Sequence, residues 1–105
     1  VVTGKANVEG MDALRDVADL LLTKMEGGII VLACANGEKA NLVVKASKDA
    51  VAKGIHAGRI VKEAAAVVSG GGGGRPDMAQ AGGKNPAAIP QALEKAVQAI
   101  QAQLA

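Results

Sequence analysis

Gly28-Ile29-Ile30-Val31-Leu32-Ala33-Cys34-Ala35-Asn36-Gly37, answered by Asn41-Leu42-Val43-Val44-Lys45, is the stretch that sets the fold. The first run is continuously apolar and rich in β-branched residues, the pattern of a buried strand. Asn36-Gly37 is a strong tight-turn signal, and the second run returns as the other arm of a hairpin. Before it, Leu14, Val17, Ala18, Leu21 and Met25 recur at helical spacing, which predicts an amphipathic helix over 12–24 with Asp12 and Asp16 suited to its N-terminus. Gly27-Gly28 is expected to stop it. Val1-Val2-Thr3 reads as the tail of a further strand, and the missing initiator Met suggests a piece of a longer protein.

Beyond the hairpin, Ser47 to Lys53 is open between a turn and a short helix. Ile55 to Val68 is predicted helical, with Ile60, Ala64, Val67 and Val68 buried and His56, Arg59 and Lys62 or Glu63 along another edge. Gly58 inside that helix costs about 1 kcal/mol relative to Ala, so close packing is its expected reason. A last helix follows Pro90, a residue well placed in a first turn, with Leu93, Val97, Ile100 and Leu104 as its apolar stripe. The expected architecture is α/β, with α+β open: a small β-sheet covered by three helices, as one domain over 1–105.

Between the last two helices lies Gly70-Gly71-Gly72-Gly73-Gly74-Arg75-Pro76-Asp77-Met78-Ala79-Gln80-Ala81-Gly82-Gly83-Lys84. A floppy linker is the plain reading of five glycines. The guanidinium, proline, carboxylate, amide and second glycine pair that follow favour a recognition loop over 70–84. Bare glycine backbone admits close approach and positive φ, and successive N–H groups can form an anion nest. Arg75 adds a planar fork for phosphate. The candidate binding residues are Gly70, Gly71, Gly72, Gly73, Gly74, Arg75, Gln80 and Lys84, with Arg59 and Lys62 as a possible basic track. Lys39, Lys45, Lys48 and Lys53 can extend that track or serve only as solvated charge. Asp77 can orient Arg75 or stabilise the turn after Pro76.

Composition narrows the functions. The chain has no Phe, Tyr or Trp, so it cannot stack bases on aromatic rings as many single-strand binders do. Net charge is +2, but residues 1–38 carry a balance of −3 and residues 39–105 one of +5. That asymmetry points to an anionic partner. Cys34 is the one cysteine, expected as a small buried hydrophobe in a reducing cytoplasm. No signal peptide is visible, and no run approaches the roughly 20 apolar residues of a membrane span. One His and one Cys far apart give no metal cluster. The glycine run lacks the Gly-Lys-Ser/Thr of a Walker loop and opens no helix as a dinucleotide fingerprint does. We therefore expect no catalytic residue, no metal and no cofactor.

The loop motif at 70–83, with Ala57-Gly58-Arg59-Ile60-Val61-Lys62 before it and Ile89-Pro90-Gln91-Ala92-Leu93 after it, resembles the C-terminal globular domain of alanyl-tRNA synthetases, a DHH-associated domain. The resemblance covers nearly the whole chain. It implies a non-catalytic tRNA-binding module that contacts the outer corner of tRNA and helps the aminoacylation and editing domains of a cytoplasmic synthetase act on one tRNA. It implies tRNA and those domains as partners, with a monomeric fragment of a parent able to dimerise. In DHH phosphoesterases a similar motif continues with His; here Arg75 stands in that place, which favours the synthetase branch. A protein–protein assembly module and the substrate-gripping domain of such a phosphoesterase are the alternative readings.

Overall fold

The computed structural model describes residues 2–5, 10–25 and 28–104. Its elements in chain order are β1 (Val2–Lys5), α1 (Met11–Met25), β2 (Ile29–Asn36), β3 (Lys39–Ala46), α2 (Lys48–Ala52), α3 (Ala57–Val67), β4 (Gly71–Gly74), β5 (Met78–Gly83) and α4 (Ile89–Leu104), with a 3-10 turn at Pro86–Ala88. One five-stranded sheet runs in the order β1-β2-β3-β5-β4, with β1 and β2 parallel and every other pair antiparallel. The architecture is mixed α/β, as the sequence indicates. Val1 and Gly27, which entered the expectations for the first strand and for the stop of the first helix, lie outside the described residues, as does the Met25 side chain.

The apolar run in β2 is buried on both sides for the reason its composition suggests. Ile30, Leu32 and Cys34 pack with Val43 under Leu14 and Ala18 of α1. Ile29, Val31 and Ala33 face the other way, into the larger core shared with β3, β5, α3 and α4. Gly37 takes φ +60° in the two-residue turn to β3, which glycine tolerates without a Cβ clash. Ser47 caps α2, its hydroxyl accepting from the Ala50 amide, which settles that segment as a short helix.

Three expectations are corrected. His56 is no member of a helix edge: it is the N-cap of α3, its Nδ1 accepting from the Arg59 amide at 3.3 Å, while Gln103 of α4 bonds both its backbone groups. The face α4 buries is Ile89, Ala92, Ala96, Ala99 and Ile100. Leu93 and Val97 are half-buried and Leu104 is exposed, because the alanine side allows closer approach than the leucine stripe. The largest correction concerns 70–84, which is a β-hairpin at the sheet edge. The glycine run and the assortment of residues after it read as a recognition loop. The strand forms because bare backbone is what lets β4 fit between β5 and α3.

Gly58 shows that fit. A Cβ built there stands 2.7 Å from the Gly74 carbonyl oxygen of β4. Gly58→Ala gains about 1 kcal/mol of helix propensity on an exposed helix. Here it should instead destabilise by about 1–2 kcal/mol, since backbone rather than a flexible side chain must give way. Chemical denaturation of the two proteins checks the sign.

Candidate functional site

The hairpin is fixed at both ends. At its tip, the Pro76 carbonyl accepts the Ala57 amide at 2.9 Å, using an N–H that the start of α3 leaves unpaired, and the Asp77 carbonyl accepts the Ala46 amide at 2.9 Å. At its base, α3 closes with Ser69 at φ +59°. The Ser69 amide bonds Ala66 and the Gly70 amide bonds Ala65, the pair of bonds of a Schellman motif. The Lys84 and Asn85 amides both bond the Val68 carbonyl. A glycine-rich segment is thereby tied to its neighbours at both ends.

Strand alternation divides its glycines into two sets. A Cβ at Gly72 would run into Ala81 and the Gln80 carbonyl, one at Gly74 into Ala79 and the Met78 carbonyl, and one at Gly70 into the Gly82 carbonyl. These three are required by packing. Gly71 and Gly73 point the other way and have nothing within 4 Å of a built Cβ. None of the glycines from 70 to 74 adopts positive φ, so the left-handed backbone allowed for in the loop reading is not used. Among the described residues nothing requires bare backbone at Gly71 and Gly73.

The register carries this open face across the sheet. Gly73 pairs with Gln80, which pairs with Val43; Gly71 pairs with Gly82, which pairs with Asn41. Val43 is covered by α1, but α1 packs on β2 and β3 and leaves exposed Gln80 uncovered. The alternation continues to Arg75, whose amide donates to the Met78 carbonyl at 2.9 Å. Its side chain is 72 % exposed, and its Nε lies 3.7 Å from an Asp77 carboxylate oxygen, a loose pair that leaves the guanidinium available. At the other end, Lys84 joins Lys39, Ala40, Asn41, Ser69, Gly70, Gly71, Gly82 and Gly83 around a recess of about 340 Å³.

The structure thus brings Gly71, Gly73, Gln80, Arg75 and Lys84 onto one surface. It does not bring Arg59 and Lys62 there. Both are exposed on the outer side of α3, beyond the sheet, and line a groove with Glu63 and with Ala99, Ala102 and Gln103 of α4. Of the other lysines, Lys45 lies on the α1 side but is engaged by Asp19. Lys39 and Asn41 are the residues that sequence reasoning undervalued. Only the register of β3 against β5 places them beside the glycines.

Cys34 is buried, with Asn41 Nδ2 3.8 Å from its Sγ. Among the described residues no three His, Cys, Asp or Glu side chains are grouped to hold a metal ion, and no helix is long and apolar enough to cross a membrane.

Comparison with known proteins bears on this surface. The family model described as the DHHA1 domain matches residues 2–104. An alanine–tRNA ligase of Acetivibrio thermocellus is 55 % identical over 105 residues, all of this chain and 12 % of the relative. One of Pelotomaculum thermopropionicum is 52 % identical over 104 residues, 99 % of this chain and again 12 % of the relative. The chain therefore spans about an eighth of the length of these relatives. Among solved structures, the C-Ala domain from Aquifex aeolicus alanyl-tRNA synthetase matches with a TM-score of 0.81 at 31 % identity, covering 99 % of this chain and 90 % of that one.

Proposed function

The chain belongs to the DHHA1 domain family, in company with the C-Ala domain of alanyl-tRNA synthetase, and on that premise we propose that it is a non-catalytic module that holds folded tRNA against the uncovered face of its sheet. The observation that carries this reading is the pair Gly71 and Gly73, bare in a strand where the fold has room for side chains. Glycine costs strand stability, so its presence without a packing reason marks a place where another molecule approaches the backbone. Peptide planes offer a flat, apolar-edged surface to a base pair at the outer corner of tRNA, and they do so without the aromatic rings this chain lacks. Arg75 and Lys84 at the margins supply charge for phosphate or ribose. Such contacts read shape and backbone rather than sequence.

In this reading the module belongs to a cytoplasmic alanine–tRNA ligase and helps its aminoacylation and editing domains serve one bound tRNA. It needs no cofactor of its own. The fragment acts as a monomer, with the tRNA and the ligase's other domains as its partners. The assembly and phosphoesterase readings draw no support from the relatives found.

Salt dependence is the direct test. About three phosphate contacts should give a slope of log K against log salt of roughly −2 to −3, and Arg75→Ala should make it shallower by about 1. A flat dependence, or equal affinity for tRNA and an unfolded RNA of the same length, overturns the reading.

A further inference from the structure

We propose that the recess at the base of the hairpin is a phosphate-binding subsite, held by Lys39 and Lys84 and separate from Arg75. Its source of phosphate, an RNA backbone, rests on the function proposed above; its chemistry does not.

The two lysines come from distant parts of the chain and meet because Ala40 pairs with Gly83 in the β3–β5 ladder. Both are exposed, and among the described residues neither has an ion-pair partner, in contrast to Lys45. Among the described residues no carboxylate lines the recess. Asn41 and Ser69 add neutral hydrogen-bonding groups at its wall. The end of α3 lies close by, and unpaired terminal carbonyls there would repel an anion. Three of them are already taken up: Ala65 and Ala66 by the closing turn, and Val68 by the amides of Lys84 and Asn85.

The floor is glycine, in two senses. Gly70 and Gly83 are bare by necessity, since a Cβ at Gly83 would run into Val68. Gly82 is not: a Cβ there meets only the Ala40 carbonyl at 3.7 Å and Asn41 Oδ1 at 3.9 Å, ordinary contacts. A side chain at 82 fits the fold and occupies the recess. Arg75 lies four strand residues from Gly71, about 13 Å at the usual rise. A phosphodiester chain laid along β4 would reach a cation at each end, with the open glycines between.

The test uses the 105-residue chain and inorganic phosphate, followed by amide NMR against sodium chloride of matched ionic strength. Saturable shifts are expected at residues 39–41, 70–71 and 82–84. Lys39→Ala with Lys84→Ala should weaken the phosphate affinity about tenfold or more. Gly82→Val, which keeps both charges, should also abolish saturation, while Arg75→Ala changes it less than about twofold, as expected of a distant site. Shifts no larger than those from chloride, or saturation unaltered in the double lysine variant, overturn the proposal. Titration with tRNA separates the two readings. If the double variant binds tRNA with the parent's salt slope, RNA is not the source of the phosphate at this subsite and the RNA-holding reading survives without it. If the parent ignores tRNA yet saturates with phosphate at these amides, the RNA-holding reading falls and the subsite stands as a site for a free phosphate compound.

Discussion

Gly72→Val is expected to unfold the edge of this protein, although it replaces a poor strand former with one of the best. A Cβ at position 72 already collides with the Ala81 side chain and comes within 2.5 Å of the Gln80 carbonyl oxygen and 2.6 Å of Ala81 Cα. None of these can swing aside. Ala81 is buried against the larger core, and its strand is paired on both sides, to β3 and to β4. Relief requires β4 to leave the sheet, and with it the Pro76 and Asp77 anchors on Ala57 and Ala46. Overpacking in a close-packed interior costs about 1–3 kcal/mol, and rigid backbone puts this case at the upper end. For a chain of this size that is a fall in melting temperature of roughly 10–20 °C. Thermal unfolding followed by circular dichroism reads it directly. A Gly72→Val protein as stable as the parent would mean that β4 does not lie where the register places it.

How much of this was legible in the sequence divides along a physical line. The β2–β3 hairpin, α1 and the burial of Cys34 follow from side-chain pattern, because apolar periodicity is a local property of Ile29 to Val44 and of Leu14 to Leu21. The packing role of Gly58 was legible too, from the propensity it sacrifices. The glycine hairpin was not. Strand recognition relies on side chains that alternate, and five glycines have none, so β4 is specified wholly by its neighbours: Gly58 behind it, Ala79 and Ala81 beside it. The division of one glycine run into packing-required and open positions likewise exists only in three dimensions. So does the meeting of Lys39 with Lys84, which turns what reads as scattered solvated charge into a pair. Arg59 and Lys62 illustrate the opposite case: close in sequence to the motif, they are carried by α3 to the other side of the sheet from its open glycines. The α4 stripe misled because large residues dominate a hydropathy reading, whereas helices meet most closely through alanine.

Gly73→Val should do the reverse of its neighbour, leaving the fold intact and removing the function. Nothing lies within 4 Å of a Cβ at position 73, and the backbone there is not left-handed, so valine enters a conformation it prefers. Stability should be unchanged or raised by up to about 1 kcal/mol. The new side chain, however, stands on the open face next to Gln80 and in line with Arg75, where a base pair would rest on the peptide planes. A central contact in a binding surface is worth about 2 kcal/mol or more, so tRNA affinity should fall by roughly tenfold to a hundredfold. Gly71→Val should act in the same direction. Because position 73 and Arg75 would touch the same partner, combining Gly73→Val with Arg75→Ala should cost less than the two losses added together. Filter binding at one fixed salt concentration, beside melting curves for each variant, separates contact from folding. Should Gly73→Val bind tRNA as tightly as the parent while melting no lower, the open face is not where RNA lies. Its bare glycines would then have to be explained by a protein neighbour.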